Sequence, residues 1–227
     1  TSAGLLQYSY DGGLTYSDAG TLGLTTVSSL VDFLPAGTGA VTRTAQSKMR
    51  DIVSVFDFMT AAQIADVQAG TATLNVSAAI ALAVTAVGGG ILYFPPGTYR
   101  CDSSIELNDS AASGVYRAAP KIVGSGIKKT SFLNRYAGPL FTHTLSTAQG
   151  NAGSYSRGLL LSGFDVYVDG SSPATARGIS LQGAYFPVID DVLLYGLNGN
   201  GVETLNSAAW SSTDKFSNAD ITMNRVV

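Results

Sequence analysis

Three stretches of this chain repeat one pattern at a nearly fixed distance, and that spacing limits the fold more than any other feature. They are Gly163-Phe164-Asp165-Val166-Tyr167-Val168, Asp191-Val192-Leu193-Leu194-Tyr195-Gly196 and Asp220-Ile221-Thr222-Met223-Asn224-Arg225, at offsets of about 28 and 29 residues. Such offsets lie within the range of solenoid repeats. In each stretch the first and third apolar positions match: Phe164/Val166, Val192/Leu194 and Ile221/Met223. Alternate residues of a strand point the same way, so stacked copies predict a continuous apolar column. One repeat cannot bury that face alone and needs neighbours. The last repeat runs to Val227 without a polar cap, so the array is expected to continue in a longer polypeptide.

The rest of the composition agrees with a stacked β architecture. Charged residues are 13% of the chain, about half the usual share. Glycine is abundant, at 26 of 227 residues, and 45% of residues are hydrophobic, which excludes a disordered chain. Hydrogen-bonded rungs protect each other's edges and need few charges. The net charge of −3 offers no basic face for nucleic acid. The single Cys101 rules out an intramolecular disulfide and a cysteine-rich zinc site. No cluster has metal-ligand spacing, and no cofactor is expected. The longest apolar run, Ala78 to Val87, is half of the roughly twenty residues a membrane span needs. No basic segment followed by an apolar stretch marks a signal peptide.

Along the chain, residues 1–34 read as a β-rich segment. Asp11-Gly12-Gly13 lies between Leu5–Tyr10 and Leu14–Tyr16 as a hairpin turn, and a further strand is expected within Leu22–Val31. Residues 35–58 change character, with a Pro35–Gly39 loop, a short helix capped by Thr44 and running to Met49, and an alternating strand at Ile52–Phe58. Residues 59–90 are helical. Thr60 caps a helix over Ala61–Val67 and Ser77 caps a second over Ala78–Val87. Ile80, Ala83, Val84 and Val87 form the buried stripe of the second, and Gly88-Gly89-Gly90 ends it. Residues 91–227 are β throughout, with Pro96-Gly97 at a tight turn.

Two segments resemble a known family. Gly39-Ala40-Val41-Thr42-Arg43-Thr44-Ala45-Gln46-Ser47-Lys48-Met49-Arg50-Asp51, followed by Val53-Ser54-Val55-Phe56-Asp57-Phe58, resembles the stretch before the β-helix of many bacteriophage tailspike proteins. Ser77-Ala78-Ala79-Ile80 and then Gly88-Gly89-Gly90-Ile91-Leu92-Tyr93-Phe94-Pro95-Pro96-Gly97-Thr98-Tyr99 resemble the start of pectate-lyase-like right-handed parallel β-helices. Ile122-Val123-Gly124-Ser125-Gly126 to Thr130 is similar to that family's next rung. The pieces cover roughly half the chain. Met59 stands where many relatives have Gly, and Ala69–Val76 lacks their carboxylates. The resemblance implies a mainly β chain: a right-handed parallel β-helix with an N-terminal capping helix, preceded by a neck at 35–58 and a particle-proximal segment at 1–34. It implies a homotrimeric virion tailspike, bound to phage tail, baseplate or adaptor proteins through its N-terminal segment. Such a spike attaches to bacterial surface polysaccharide, capsule or O-antigen, and in complete form often depolymerises it as a glycosidase or lyase. A non-enzymatic anchor or adaptor, and a free bacterial polysaccharide lyase or hydrolase, are the alternatives.

Candidate site residues come from the repeats. Asp191 and Asp220 occupy the same repeat position, and neighbouring strands lie about 4.8 Å apart. Glycan hydrolysis uses two carboxylates about 5 to 10 Å apart, one with a raised pKa. The alternative is that each bonds local backbone amides at a corner. Tyr167, Tyr195 and Asn224 form an outward ladder in the same alignment. Aromatic faces and an amide suit sugars, and equally suit subunit packing. Asp165 and Asp169 lie near it. Trp210, in the polar Ser207–Ser212 loop, is either a sugar platform or a subunit contact. His143 lies in a plain β segment, no Gly-x-Ser-x-Gly elbow surrounds a serine, and Lys128-Lys129 reads as a solvated corner.

Overall fold

The computed structural model describes residues 31–107, 117–144, 156–182, 184–205 and 221–227. The hairpin at Leu5–Tyr16 and the strand within Leu22–Val31 lie outside these residues, apart from Val31. The chain forms two compact units, one ending at Asp51 and one running from Ile52 to Val227.

In the first unit, β1 (Asp32–Phe33) pairs antiparallel with β2 (Arg43–Thr44). Helix α1 (Ala45–Met49) follows, and the Thr44 hydroxyl accepts the Ser47 N–H as expected of a cap. Arg43 grips Asp51 with two nitrogens, at 3.1 and 2.7 Å, and Lys48 Nζ reaches it at 2.6 Å. The Arg43 hydrogen bond, then that from Lys48, holds the Asp51 carboxyl below the ordinary carboxylate range.

The second unit opens with β3 (Val53–Ser54). The strand expected over Ile52–Phe58 stops there, because Val55–Phe58 form a single 3-10 turn. The cause is a reciprocal cap: the Ser54 hydroxyl accepts from the Phe56 amide, and the Asp57 carboxylate accepts from the Ser54 amide. Helix α2 (Ala61–Ala69) starts at a second such box between Thr60 and Gln63 and ends at Gly70, which has φ +69°. Helix α3 (Ser77–Val87) places Ile80, Ala83 and Val84 in the core. Ser77 is its first helical residue and not its cap. Asn75 Oδ1 accepts the Ser77 N–H, which frees the Ser77 hydroxyl to accept from the amides of Asp102 and Ser103.

Then the chain becomes repetitive. The first rung carries β4 (Ile91–Phe94), β5 (Gly97–Cys101) and β6 (Ile105–Glu106). The second carries β7 (Arg117–Ala118), β8 (Lys121–Gly124), β9 (Thr130–Asn134) and β10 (Pro139–Thr144). The third carries β11 (Ser156–Arg157), β12 (Leu160–Tyr167) and β13 (Arg177–Gln182). The fourth carries β14 (Ala184–Tyr185), β15 (Val188–Tyr195) and β16 (Val202–Leu205), and β17 (Thr222–Val226) begins a fifth. Every pairing among these strands is parallel. The described residues are thus mainly β, with parallel sheets and few helices, as the repeat spacing predicted.

The register supports one column and corrects the next. Phe164 lies beside Val192 and Val166 beside Leu194, as expected. Val192, however, pairs with Val226 and not Ile221, and Ile189 pairs with Met223. The spacing between rungs explains the difference, because Asp191 follows its equivalent Gly163 by 28 residues while Arg225 follows Asp191 by 34, and each strand also carries a corner. Gly163 (φ +74°), Asp191 (φ +55°) and Arg225 (φ +49°) occupy equivalent positions, all left-handed. A left-handed residue breaks the alternation of faces, so the buried residues run Leu161, Phe164, Val166 and then Ile189, Val192. An alignment of apolar-x-apolar patterns cannot see that break.

The interior is aromatic at its centre. Phe132 meets Phe94, Phe141 and Phe164 edge to face, with ring centroids at 5.0, 5.1 and 5.2 Å. Each such contact adds about 0.5–1.5 kcal/mol beyond area burial. Tyr99 joins them fully buried, its hydroxyl donating to Pro95 O at 2.7 Å.

Candidate functional site

The sheet formed by β5, β9 and the carboxyl-terminal halves of β12 and β15 has an inner and an outer face. Tyr99, Phe132, Phe164 and Val192 are buried on the inner one. By alternation the outer face carries Arg100, Leu133, Tyr167 and Tyr195 in one register line, and Thr98, Ser131, Asp165 and Leu193 in another. Parallel in-register pairing therefore sets Tyr195 against Tyr167. Their rings stack with centroids 5.4 Å apart and planes 7° from parallel. The ladder expected from the sequence holds for these two tyrosines. It does not extend to Asn224, which the register places beside Asp190; its Nδ2 donates to Asp190 Oδ1 at 2.9 Å.

Charged groups surround the stack. Lys128 Nζ lies 3.4 Å from the centroid of the Tyr195 ring, a cation–π contact that the solvated-corner reading missed. Lys128 belongs to the turn between β8 and β9 and is left-handed, with φ +63°. Its amide donates to Asp165 Oδ1 at 2.7 Å, and the Ser131 hydroxyl donates to the same oxygen at 3.0 Å. Asp165 is fully buried, and its other oxygen has no partner among the described residues. Arg135 Nη2 donates to Asp169 Oδ2 at 2.6 Å, while its buried Nε has no partner there. Partial burial works to raise the Asp169 carboxyl, but the Arg135 bond and the Ser171 amide hold it below its ordinary value. Burial, then the neighbouring Tyr195 and Asp169, pushes the Tyr167 hydroxyl up, so it stays a neutral donor at neutral pH.

Of the expected carboxylate pair, only Asp191 lies among the described residues. Arg225 stands opposite Asp191, with Nε 3.6 Å from Asp191 Oδ1. The repeat equivalence of Asp191 with Asp220 fails with the register described above. Asp220 and Trp210 lie outside the described residues. His143 is buried inside, with Nδ1 3.1 Å from Gln182 O, and burial lowers its pKa. Among the described residues, no three His, Cys, Asp or Glu side chains gather as a metal cage requires.

No local sequence signal marked Lys128 and Arg135. Lys128 sits two rungs from Tyr195 along the stack, and Arg135 is 34 residues from Asp169.

No family model and no curated protein matches the sequence. Solved structures do match. ORF18 of Geobacillus virus E2 shares 17% identity at a TM-score of 0.50, over 75% of this chain and 34% of that one. Tailspike protein 3 of bacteriophage CBA120 shares 18% identity at a TM-score of 0.46, over 80% of this chain and 30% of that one. The likeness to the Geobacillus virus chain is one of fold. This chain spans about a third of the length of either.

Proposed function

We propose that this chain is part of a phage tailspike that attaches the virion to bacterial surface polysaccharide. In this reading the parallel sheets close into a right-handed β-helix, three copies assemble as a homotrimer, and residues 1–34 meet tail, baseplate or adaptor proteins. The fold shared with a virus chain supports the setting.

The observation that carries the reading is the Tyr167–Tyr195 stack with Lys128 and the Arg135–Asp169 pair around it. Ring edges and phenol hydroxyls on a sheet, with charges from the adjoining turns, suit a chain of hydroxyl-bearing rings, whose apolar patches and hydroxyls both need partners. The sheet holds the two tyrosines more exactly than a loop would. Cleavage is not assigned to Asp191, whose near neighbour is an arginine. Binding and cleavage are separate claims, and the described site supports the first.

The test is binding of the complete protein to capsule and lipopolysaccharide purified from the bacterium its phage infects. Tyr167→Ala combined with Tyr195→Ala is expected to weaken binding at least about tenfold, on the scale of two lost stacking contacts. Unchanged binding by a variant with the parent's circular dichroism would remove this face from the site.

A further inference from the structure

We propose that the Tyr167–Tyr195 face selects an anionic saccharide, and that Lys128 is the residue that binds its negative group. This rests on the saccharide reading above and goes beyond it to the charge of the ligand.

The acceptors on this face are largely engaged. Asp169 takes Arg135 on one oxygen and the Ser171 amide and Ser172 hydroxyl on the other. Asp165 takes the Lys128 amide and the Ser131 hydroxyl, and its second oxygen is sealed from solvent. The donors are not engaged to the same degree. Among the described residues no carboxylate stands within ion-pair distance of the Lys128 ammonium, which has only the Tyr195 ring beneath it. A lysine ammonium brings three N–H donors and accepts nothing. A ligand that fits this surface must therefore supply acceptors, and a carboxylate supplies the strongest kind.

Lys128 is also held in place, which an ordinary solvated lysine is not. Its left-handed backbone is a conformation that side chains other than glycine adopt at a cost. A buried carboxylate, itself costly to desolvate, fixes that backbone through the Lys128 amide. The result is an ammonium from the second rung aimed across the third at an aromatic ring on the fourth. Asp165 is thus a positioning residue, and Lys128 the binding one. Its neighbour Lys129, equally cationic and exposed, has no such ring contact among the described residues.

The experiment uses the complete protein labelled with 13C in its tyrosine rings. It is titrated at low salt with methyl β-glucuronide and, separately, with the neutral methyl β-glucoside. The expected result is that both perturb the Tyr167 and Tyr195 resonances, with the glucuronide binding about tenfold tighter, the scale of one charge-assisted hydrogen bond. Lys128→Met, which keeps the stem and removes the charge, should erase that difference, while Lys129→Met keeps it. Equal affinities in the parent, or an equal loss in Lys128→Met and Lys129→Met, overturn the charge selectivity and leave the saccharide site standing. If neither glycoside moves the tyrosine resonances at saturating concentration, the saccharide reading falls with it.

Discussion

Gly97→Ala should cost this protein more than any other glycine substitution at a helix–sheet contact of the first rung. Gly97 opens β5 at φ +149°, a backbone conformation that L side chains rarely adopt. A Cβ there would stand 2.5 Å from Val67 O, 2.6 Å from Val67 Cγ1 and 2.9 Å from the Val67 carbonyl carbon. Val67 is fully buried near the carboxyl end of α2, so neither partner is a flexible surface tip. Backbone strain of this kind costs about 1–3 kcal/mol. Pushing α2 off β5 adds an overpacking term of about 1–3 kcal/mol. The sum, about 2–6 kcal/mol, corresponds to a Tm drop on the order of 10 °C for a unit of this size. Gly70→Ala is the internal control. Gly70 is also left-handed, but a Cβ there would meet only Thr98 Oγ1, at an ordinary 3.6 Å. It should cost about 1 kcal/mol, the backbone term alone. Both are read from guanidinium unfolding followed by far-ultraviolet circular dichroism. The reasoning fails if Gly97→Ala unfolds within about 0.5 kcal/mol of the parent, or no earlier than Gly70→Ala.

Three further outcomes are expected. Burial alone would raise the Asp66 carboxyl, but the hydroxyls of Thr71 and Thr73 and the amides of Leu74 and Thr73 outweigh it and bring its pKa to about 2. A lowered folded pKa gives stability that is present above the unfolded value and lost as pH falls toward the folded one, so Asp66→Asn should flatten stability between about pH 4 and pH 2, measured as the urea midpoint across that range. His143 is buried as the neutral ring: Gln182 O accepts from Nδ1–H, and Nε2 faces no partner among the described residues. Its lowered pKa means stability is full above about pH 6.5 and falls as pH drops below it, so His143→Phe should remove that slope in thermal melts between pH 7 and pH 5. Asp191→Gly relieves a left-handed aspartate and loses only a long, exposed contact to Arg225, so unfolding assays should find it neutral to about 1 kcal/mol more stable.

Much of the path of the chain could be read from residues in order. Thr44, Thr60 and the Gly88 stop mark helix ends because capping is a contact between neighbours in sequence. The Phe164–Val192 column follows from alternation at a fixed spacing. Two local expectations failed where a nearby side chain competed. Ser54 and Asp57 turned a strand into a 3-10 helix, and Asn75 took the role given to Ser77.

By itself the sequence determined a mainly β, repetitive chain with a helical segment before it, and two outward tyrosines in line. These follow from period and composition, which are properties of short stretches. Only the tertiary structure decided which residue stands beside which across rungs. The left-handed corners at Gly163, Asp191 and Arg225 shift the alternation, and corner segments of unequal length change the spacing from rung to rung. That is why Asp191 meets Arg225, why Asn224 leaves the ladder, and why Lys128 reaches Tyr195. A contact between rungs depends on every residue in the intervening turn, and no local pattern encodes that length.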